Sequence, residues 1–249
     1  MHYRQKENGM YILSRNDIEQ IATEKLKEYA PSNLEHPMPL KTTDFLERYL
    51  GLIIKNKYIC DFQSGILGLT VMGDEVLIPS YDEMFHPVIL EETFGTVLIT
   101  PQLLGNEQLP RRRYTEMHEA AHFLLHRSYF EKCERAAAAR TERFDPFIAC
   151  RKIEIKNNCK KTELDWLEYQ ADALAAAMLM PQHVFISYVS NMFKKSGIQN
   201  SYIYVGLYSE KRELQKIICD VAKTFCVSYQ AAKIRMLHLG LIRESNFIY

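Results

Sequence analysis

Two histidines four residues apart constrain this chain more than any other feature. In His118-Glu119-Ala120-Ala121-His122 the spacing is one helical turn, so both imidazoles share a face and can reach one cation only if the segment is helical. The surroundings agree. Met117, Ala121, Leu124 and Leu125 form an apolar stripe beside the histidines, and residues 111–145 contain neither glycine nor proline. Thr115 is the expected helix cap. Glu119 is offset around the helix, so it can address a water at the cation rather than become a ligand. His126 extends the row but lies two turns from His118, about 12 Å along the axis at ~1.5 Å per residue. One cation cannot bind both, and the expected place of His126 is behind the site or packed at the helix end.

A third ligand has to come from another element. Residues 162–180 read as a helix that Pro181 ends. Within it Glu168 and Asp172 are four apart and share a face. Residues 173–180 are apolar nearly all round, which predicts a buried helix, and buried carboxylates need partners. The expected arrangement has Glu168 binding zinc with His118 and His122. Asp172 then accepts a hydrogen bond from the remote N–H of a ligating histidine and fixes its tautomer. Three protein ligands leave a fourth position for water, as in catalytic zinc sites, with Glu119 as general base. Tyr114, Tyr169 and His183 are the candidates for an oxyanion donor.

Composition sets the class. Of 249 residues, 47% are hydrophobic and 25% charged, the mix of a globular protein with a sizeable core. Lys plus Arg and Asp plus Glu number 31 each. Without the positive surplus that sequence-independent DNA binding draws on, nucleic acid is not expected as the main partner. The first six residues are polar, with no apolar leader segment. The longest apolar stretch, 173–180, is too short for a membrane. A cytoplasmic protein with no membrane association is expected. None of the six cysteines forms a C-x-x-C pair, so free thiols are expected. Cys133, Cys150 and Cys159 lie close together but match no zinc spacing.

Along the chain, Ile18, Ile21, Ala22, Leu26 and Tyr29 recur at helical spacing, with Asn16 as the cap. Thr43 precedes a short pattern with Phe45, Leu46 and Leu50, and 52–59 reads as a strand. Gly73-Asp74 separates 66–71 from 75–79, a hairpin signal. Residues 88–90 and 96–100 are further β-branched runs. A polar insertion at 128–161 reads as loop around a helical piece at 136–139. Two helices follow near 208–242, the second capped by Ser228.

These residues resemble the ImmA/IrrE family of metallopeptidases. Residues 113–126, from Arg113-Tyr114-Thr115 through His118-Glu119 and His122 to Leu125-His126, are similar to its R-F-T-x-x-H-E-x-G-H-x-x-L-H. Glu168-Tyr169-Gln170-Ala171-Asp172 followed by Met178-Leu179-Met180-Pro181 resembles its E-x-x-A-(N/D)…L-L-M-P block. Val227-Ser228 and Leu239-Gly240-Leu241-Ile242 resemble its closing helical element. Ala121 replaces the usual glycine, and the 45 residues between His122 and Glu168 are more than many members have.

The resemblance implies an α+β fold: a mainly helical, zincin-like metallopeptidase core with a small antiparallel sheet, about 52–101, beside the H-E-x-x-H helix, plus a C-terminal helical pair. The active-site helices fall at about 113–127 and 162–180. The metallopeptidase domain takes 1–200 and a helix-turn-helix-like element 201–249. It implies a cytosolic zinc endopeptidase whose substrate is a helix-turn-helix repressor. A sheet edge can hold an extended substrate through main-chain hydrogen bonds, and strand 96–100 or its hairpin neighbour is expected to supply that edge. The alternative is a zinc-containing regulatory protein that binds protein or DNA through its mildly basic C-terminal helices, which carry Lys211, Arg212, Lys216, Lys223, Lys233 and Arg235.

Overall fold

The computed structural model describes residues 3–60, 65–142, 144–151, 162–205 and 208–244. The fold is α+β and mainly helical. Its helices are α1 (Arg15–Tyr29), α2 (Thr42–Asp44), α3 (Leu109–Arg140), α4 (Glu163–Leu179), α5 (Gln182–Lys195), α6 (Tyr208–Phe225) and α7 (Tyr229–His238). α2 continues into a π-helical turn, Phe45–Tyr49. The strands are β1 (Ile53–Asn56), β2 (Tyr58–Ile59), β3 (Ile66–Val71), β4 (Val76–Tyr81), β5 (Pro87–Glu92), β6 (Thr96–Ile99), β7 (Phe147–Arg151), β8 (Ile203–Val205) and β9 (Ile242–Glu244).

Contacts group the chain into two compact units, Met1–Ile18 with Lys41–Ala175 and Glu19–Leu40 with Ala176–Tyr249. Both are discontinuous because α1 and α4 each begin in the first unit and end in the second. The grouping therefore does not follow a single cut at residue 200.

The first unit is layered. One sheet has the order β1-β6-β3-β7 and another β2-β4-β5. Alternation along β3 assigns its two faces. Leu69 and Val71 join Leu98, Val76 and Ile78 in a core between the two sheets. Gly68 and Thr70 point the other way, against Thr115 and Glu119 of α3. Buried on both faces, β3 carries an apolar run interrupted only by Thr70 instead of a polar alternation. β7 follows the same rule: Phe147 and Ala149 face the inter-sheet core. Ile148 joins Met10, Met72, Phe130 and Leu167 in a second cluster.

Three strand expectations change. β3 and β4 do not form a hairpin. The turn at Gly73-Asp74 carries the chain from one sheet to the other, and the antiparallel partner of β4 is β5. The β4–β5 turn is closed by Asp82, whose carboxylate accepts from the Met84 and His86 amides. β6 is not an edge. β1 pairs parallel to it on one side and β3 antiparallel on the other, so all four of its residues are buried and no row of its amides is left for a substrate. The third change is the insertion. Most of it is not loop, because α3 continues to Arg140, where Thr141 closes it in the left-handed conformation at φ 58°. β7 then adds to β3. Residues 152–161, with Cys159, lie outside the described residues, as does the Cys150 side chain. Cys60, Cys133, Cys219 and Cys226 are free thiols.

Helix starts follow local capping. Ser14, not Asn16, caps α1: its hydroxyl accepts from the Asp17 amide while the Asp17 carboxylate accepts from the Ser14 amide. Thr162 and Asp165 repeat that exchange at α4. Thr115 is no cap, because α3 begins at Leu109 and the Thr115 hydroxyl donates to the Arg111 carbonyl. In the second unit Ser228 caps α7 by accepting from the Ala231 amide. Arg235 of α7 is buried, donating to the Glu19 carboxylate and to the Met180 carbonyl.

Candidate metal centre

α3 carries an unusual load of buried polar groups for a helix interior: Thr115, Glu116, His118, Glu119, His122 and His126. Each needs a partner. Glu116 accepts from Thr42 at 2.6 Å, from Thr43, and from Arg112 one turn earlier at 2.8 Å. That carboxylate ties the α2 segment to α3 and fixes the rotation of the helix about its axis.

His118 and His122 then face α4. Their Nε2 atoms are 2.8 Å apart. Glu168 brings Oε2 to 3.3 Å from His118 Nε2 and Oε1 to 3.4 Å from His122 Nε2. His118, His122 and Glu168 each offer one ligand atom, all within 4.8 Å of one another, and this group can hold a metal ion. Asp172, one turn beyond Glu168, accepts from His118 Nδ1 at 2.9 Å. Tyr114 donates its hydroxyl hydrogen to the same Asp172 oxygen at 3.1 Å. The four residues singled out in sequence by their two i, i+4 spacings therefore meet.

The electrostatics fit a cation. Asp172 takes the Nδ1 hydrogen of His118, which leaves a lone pair on Nε2. Burial raises the Glu168 pKa, but the adjacent His118 and His122 side chains outweigh it and hold the carboxyl well below the ordinary range. Burial also lowers His122 to about 4, with His118 adding to the effect. A neutral imidazole nitrogen and an ionised carboxylate converging on one point are a ligand set in search of a positive charge.

Glu119 lies beside this group and is fully buried. Thr70 of β3 donates to its Oε2 at 2.6 Å. Its Oε1 is buried and has no hydrogen-bond partner among the described residues. Burial pushes its pKa up to about 8, against the lowering influence of His118 and Thr70. Position 68 has to be glycine for this side chain to fit: a Cβ there would stand 2.5 Å from Glu119 Oε1 and 2.7 Å from Thr115 Cγ2.

Of the three oxyanion candidates, Tyr114 is committed to Asp172 and the Tyr169 hydroxyl accepts from Arg15. His183 lies on α5 in the other unit. Sequence reasoning missed Gly68, Thr70 and Glu116. A glycine inside an aliphatic strand run does mark a close backbone approach, and the lone hydroxyl of Thr70 in that run was the second available signal.

A helix bearing H-E-x-x-H beneath a small sheet, with a carboxylate helix alongside, defines a metallopeptidase-type domain. The family model of the IrrE N-terminal-like domain, a peptidase family, matches residues 92–237. That span is more than half of the chain and includes both α3 and α4, and the chain belongs to this family. Comparison with curated proteins found no match.

Proposed function

We propose that the chain is a zinc-dependent endopeptidase, with His118, His122 and Glu168 as the metal ligands and Glu119 as the general base. The observation that carries the reading is the convergence of the three ligand atoms within 4.8 Å, next to a buried glutamate with one carboxylate oxygen held by Thr70 and the other without a hydrogen-bond partner among the described residues. Two imidazoles and one carboxylate suit zinc and leave a coordination position open. A zinc ion held by these three residues would supply a Lewis acid for the scissile carbonyl and the attacking water. Glu119 takes the proton from that water and passes it to the leaving amine. Thr70 holds one Glu119 oxygen, so the other keeps a fixed direction. Asp172 fixes the tautomer of His118.

The substrate we propose is a helix-turn-helix repressor, as the family resemblance implies, and such a substrate places the reaction in the cytoplasm. An extended segment of it needs an open sheet edge. β7 is the better template than β1, because it neighbours β3, the strand that touches Glu119. A substrate peptide with a photo-crosslinking side chain should label β7. Labelling confined to β1 refutes that placement.

The competing DNA-binding reading is weakened in the C-terminal helices themselves. Arg235, one of their basic residues, is buried on Glu19, and Lys216 pairs with Glu213. The deciding experiment incubates the zinc-loaded chain with a helix-turn-helix repressor, the first candidate being one encoded next to it. Cleavage by wild type and none by Glu119→Gln is the expected result. Equal cleavage by both contradicts the role of Glu119. No cleavage, together with steeply salt-dependent DNA binding, favours the competing reading.

A further inference from the structure

Behind His122 runs a line of buried polar groups that the chemistry above does not use. His126, in the next turn of α3, and Gln170 of α4 are both buried. His122 Nδ1 lies 2.9 Å from His126 Nδ1. His126 Nε2 lies 3.2 Å from Gln170 Oε1. Gln170 Nε2 donates to the Tyr11 backbone carbonyl at 2.8 Å.

The far end of the line fixes its direction. A backbone carbonyl only accepts, so the Gln170 amide must turn its NH2 group to Tyr11 and its oxygen to His126. That oxygen also only accepts, so His126 carries its hydrogen on Nε2. A neutral imidazole has one N–H, which makes His126 Nδ1 an acceptor. His122 Nδ1 faces that acceptor and must carry the hydrogen. The lone pair of His122 is then left on Nε2, the atom that faces His118 and Glu168.

We propose that His126 and Gln170, anchored on the Tyr11 carbonyl, form a positioning relay that holds His122 in its metal-binding tautomer. The inference rests on the reading of His118, His122 and Glu168 as ligands. It gives His122 the counterpart of what Asp172 gives His118, by different means. Asp172 is partly exposed, its side chain 30% accessible, and a carboxylate is stable there. The space behind His122 is closed, and a second carboxylate would need a charge partner of its own. A neutral chain ending on a backbone carbonyl meets the same demand without added charge. Only with both histidines set this way do two lone pairs and a carboxylate face one another with no hydrogen between them. The arrangement repels itself until a cation enters.

The test uses the full-length chain and Zn2+ in competition with a chelator, together with nitrogen NMR of the histidine-labelled, zinc-loaded protein. The spectrum should show His126 protonated at Nε2, with a coupling across the hydrogen bond from His122 Nδ1–H to His126 Nδ1. Gln170→Met keeps the length, touches neither histidine ligand, and removes the group that sets the direction. It should weaken Zn2+ binding about 10-fold, and His126→Phe by about 10–100-fold, the range for outer partners of metal ligands. If His126→Phe does not fold, Gln170→Met carries the test alone. A packing role alone would lower the melting temperature of the chelated protein and leave the hydrogen placement and zinc affinity unchanged. His126 protonated at Nδ1, or wild-type affinity in Gln170→Met while His118→Ala has lost the metal, overturns the relay and leaves the ligand reading standing. Wild-type affinity in His118→Ala overturns both.

Discussion

Glu119 is the residue on which the proposed chemistry turns, and its burial gives it a measurable signature. In the chelated protein its pKa is about 8 against an ordinary 4.5. Between those values the folded chain holds a proton that the unfolded chain has released, so stability falls as pH rises through the window. His122 acts in the opposite sense, since its folded value of about 4 lies below 6.5 and stability rises with pH between the two. A comparison with Glu119→Gln cancels the histidine contribution. The melting temperature of chelated wild type should drop relative to Glu119→Gln as pH goes from 4.5 to 8; parallel curves mean that Glu119 does not titrate there. With zinc bound, Glu119→Gln should keep the metal and lose roughly 10²–10⁴ in turnover, the scale of general acid–base catalysis. Asp172→Asn should weaken zinc binding by about 10–100-fold, and unchanged affinity in chelator competition would detach Asp172 from His118. These residues were legible in sequence because each pair lies on one helix, where a spacing of four fixes a shared face. Thr70 and Gln170 were not read as site residues, because their partners are set by how β3, α4 and the Tyr11 segment approach α3, and no local spacing encodes that.

Among the elements, β3 has the narrowest tolerance. It passes so close to α3 that its Cα at position 68 fills the space over Glu119. Gly68→Ala should push the Glu119 side chain aside, lowering turnover while leaving zinc affinity near wild type. Equal turnover would show that Glu119 has room to shift without consequence. Helix ends are more forgiving. Ser228→Ala removes the α7 cap and should cost about 1 kcal/mol in denaturant unfolding. The element scale also shows where sequence reading fails. The turn at Gly73-Asp74 is real, yet turn chemistry does not say whether the chain folds back into the same sheet or crosses to another. The buried pattern of β6 could equally belong to an edge or a centre, and only pairing with β1, distant in sequence, decides it. The polar insertion looked like loop because α3 beyond Phe130 is largely exposed, and an exposed helix shows no apolar period. Where the apolar signal was strong, in 162–180, the reading and α4 agree to within a residue or two.

For the whole molecule, membership in the IrrE N-terminal-like family, an α+β fold and a His-His-Glu cluster agree at three levels. Among the described residues no single helix is long and apolar enough to cross a membrane. The cluster draws His118 and His122 from α3 and Glu168 from α4, with 45 residues between His122 and Glu168, so a metal held there would be captured by the folded chain rather than by a local motif. Elemental analysis of the full-length protein, loaded with zinc and dialysed, tests this most directly when wild type and Glu168→Ala are compared side by side. The account predicts one zinc per wild-type chain and a clear loss in Glu168→Ala. A wild-type chain that retains no zinc, or a Glu168→Ala chain that retains its full share, contradicts it.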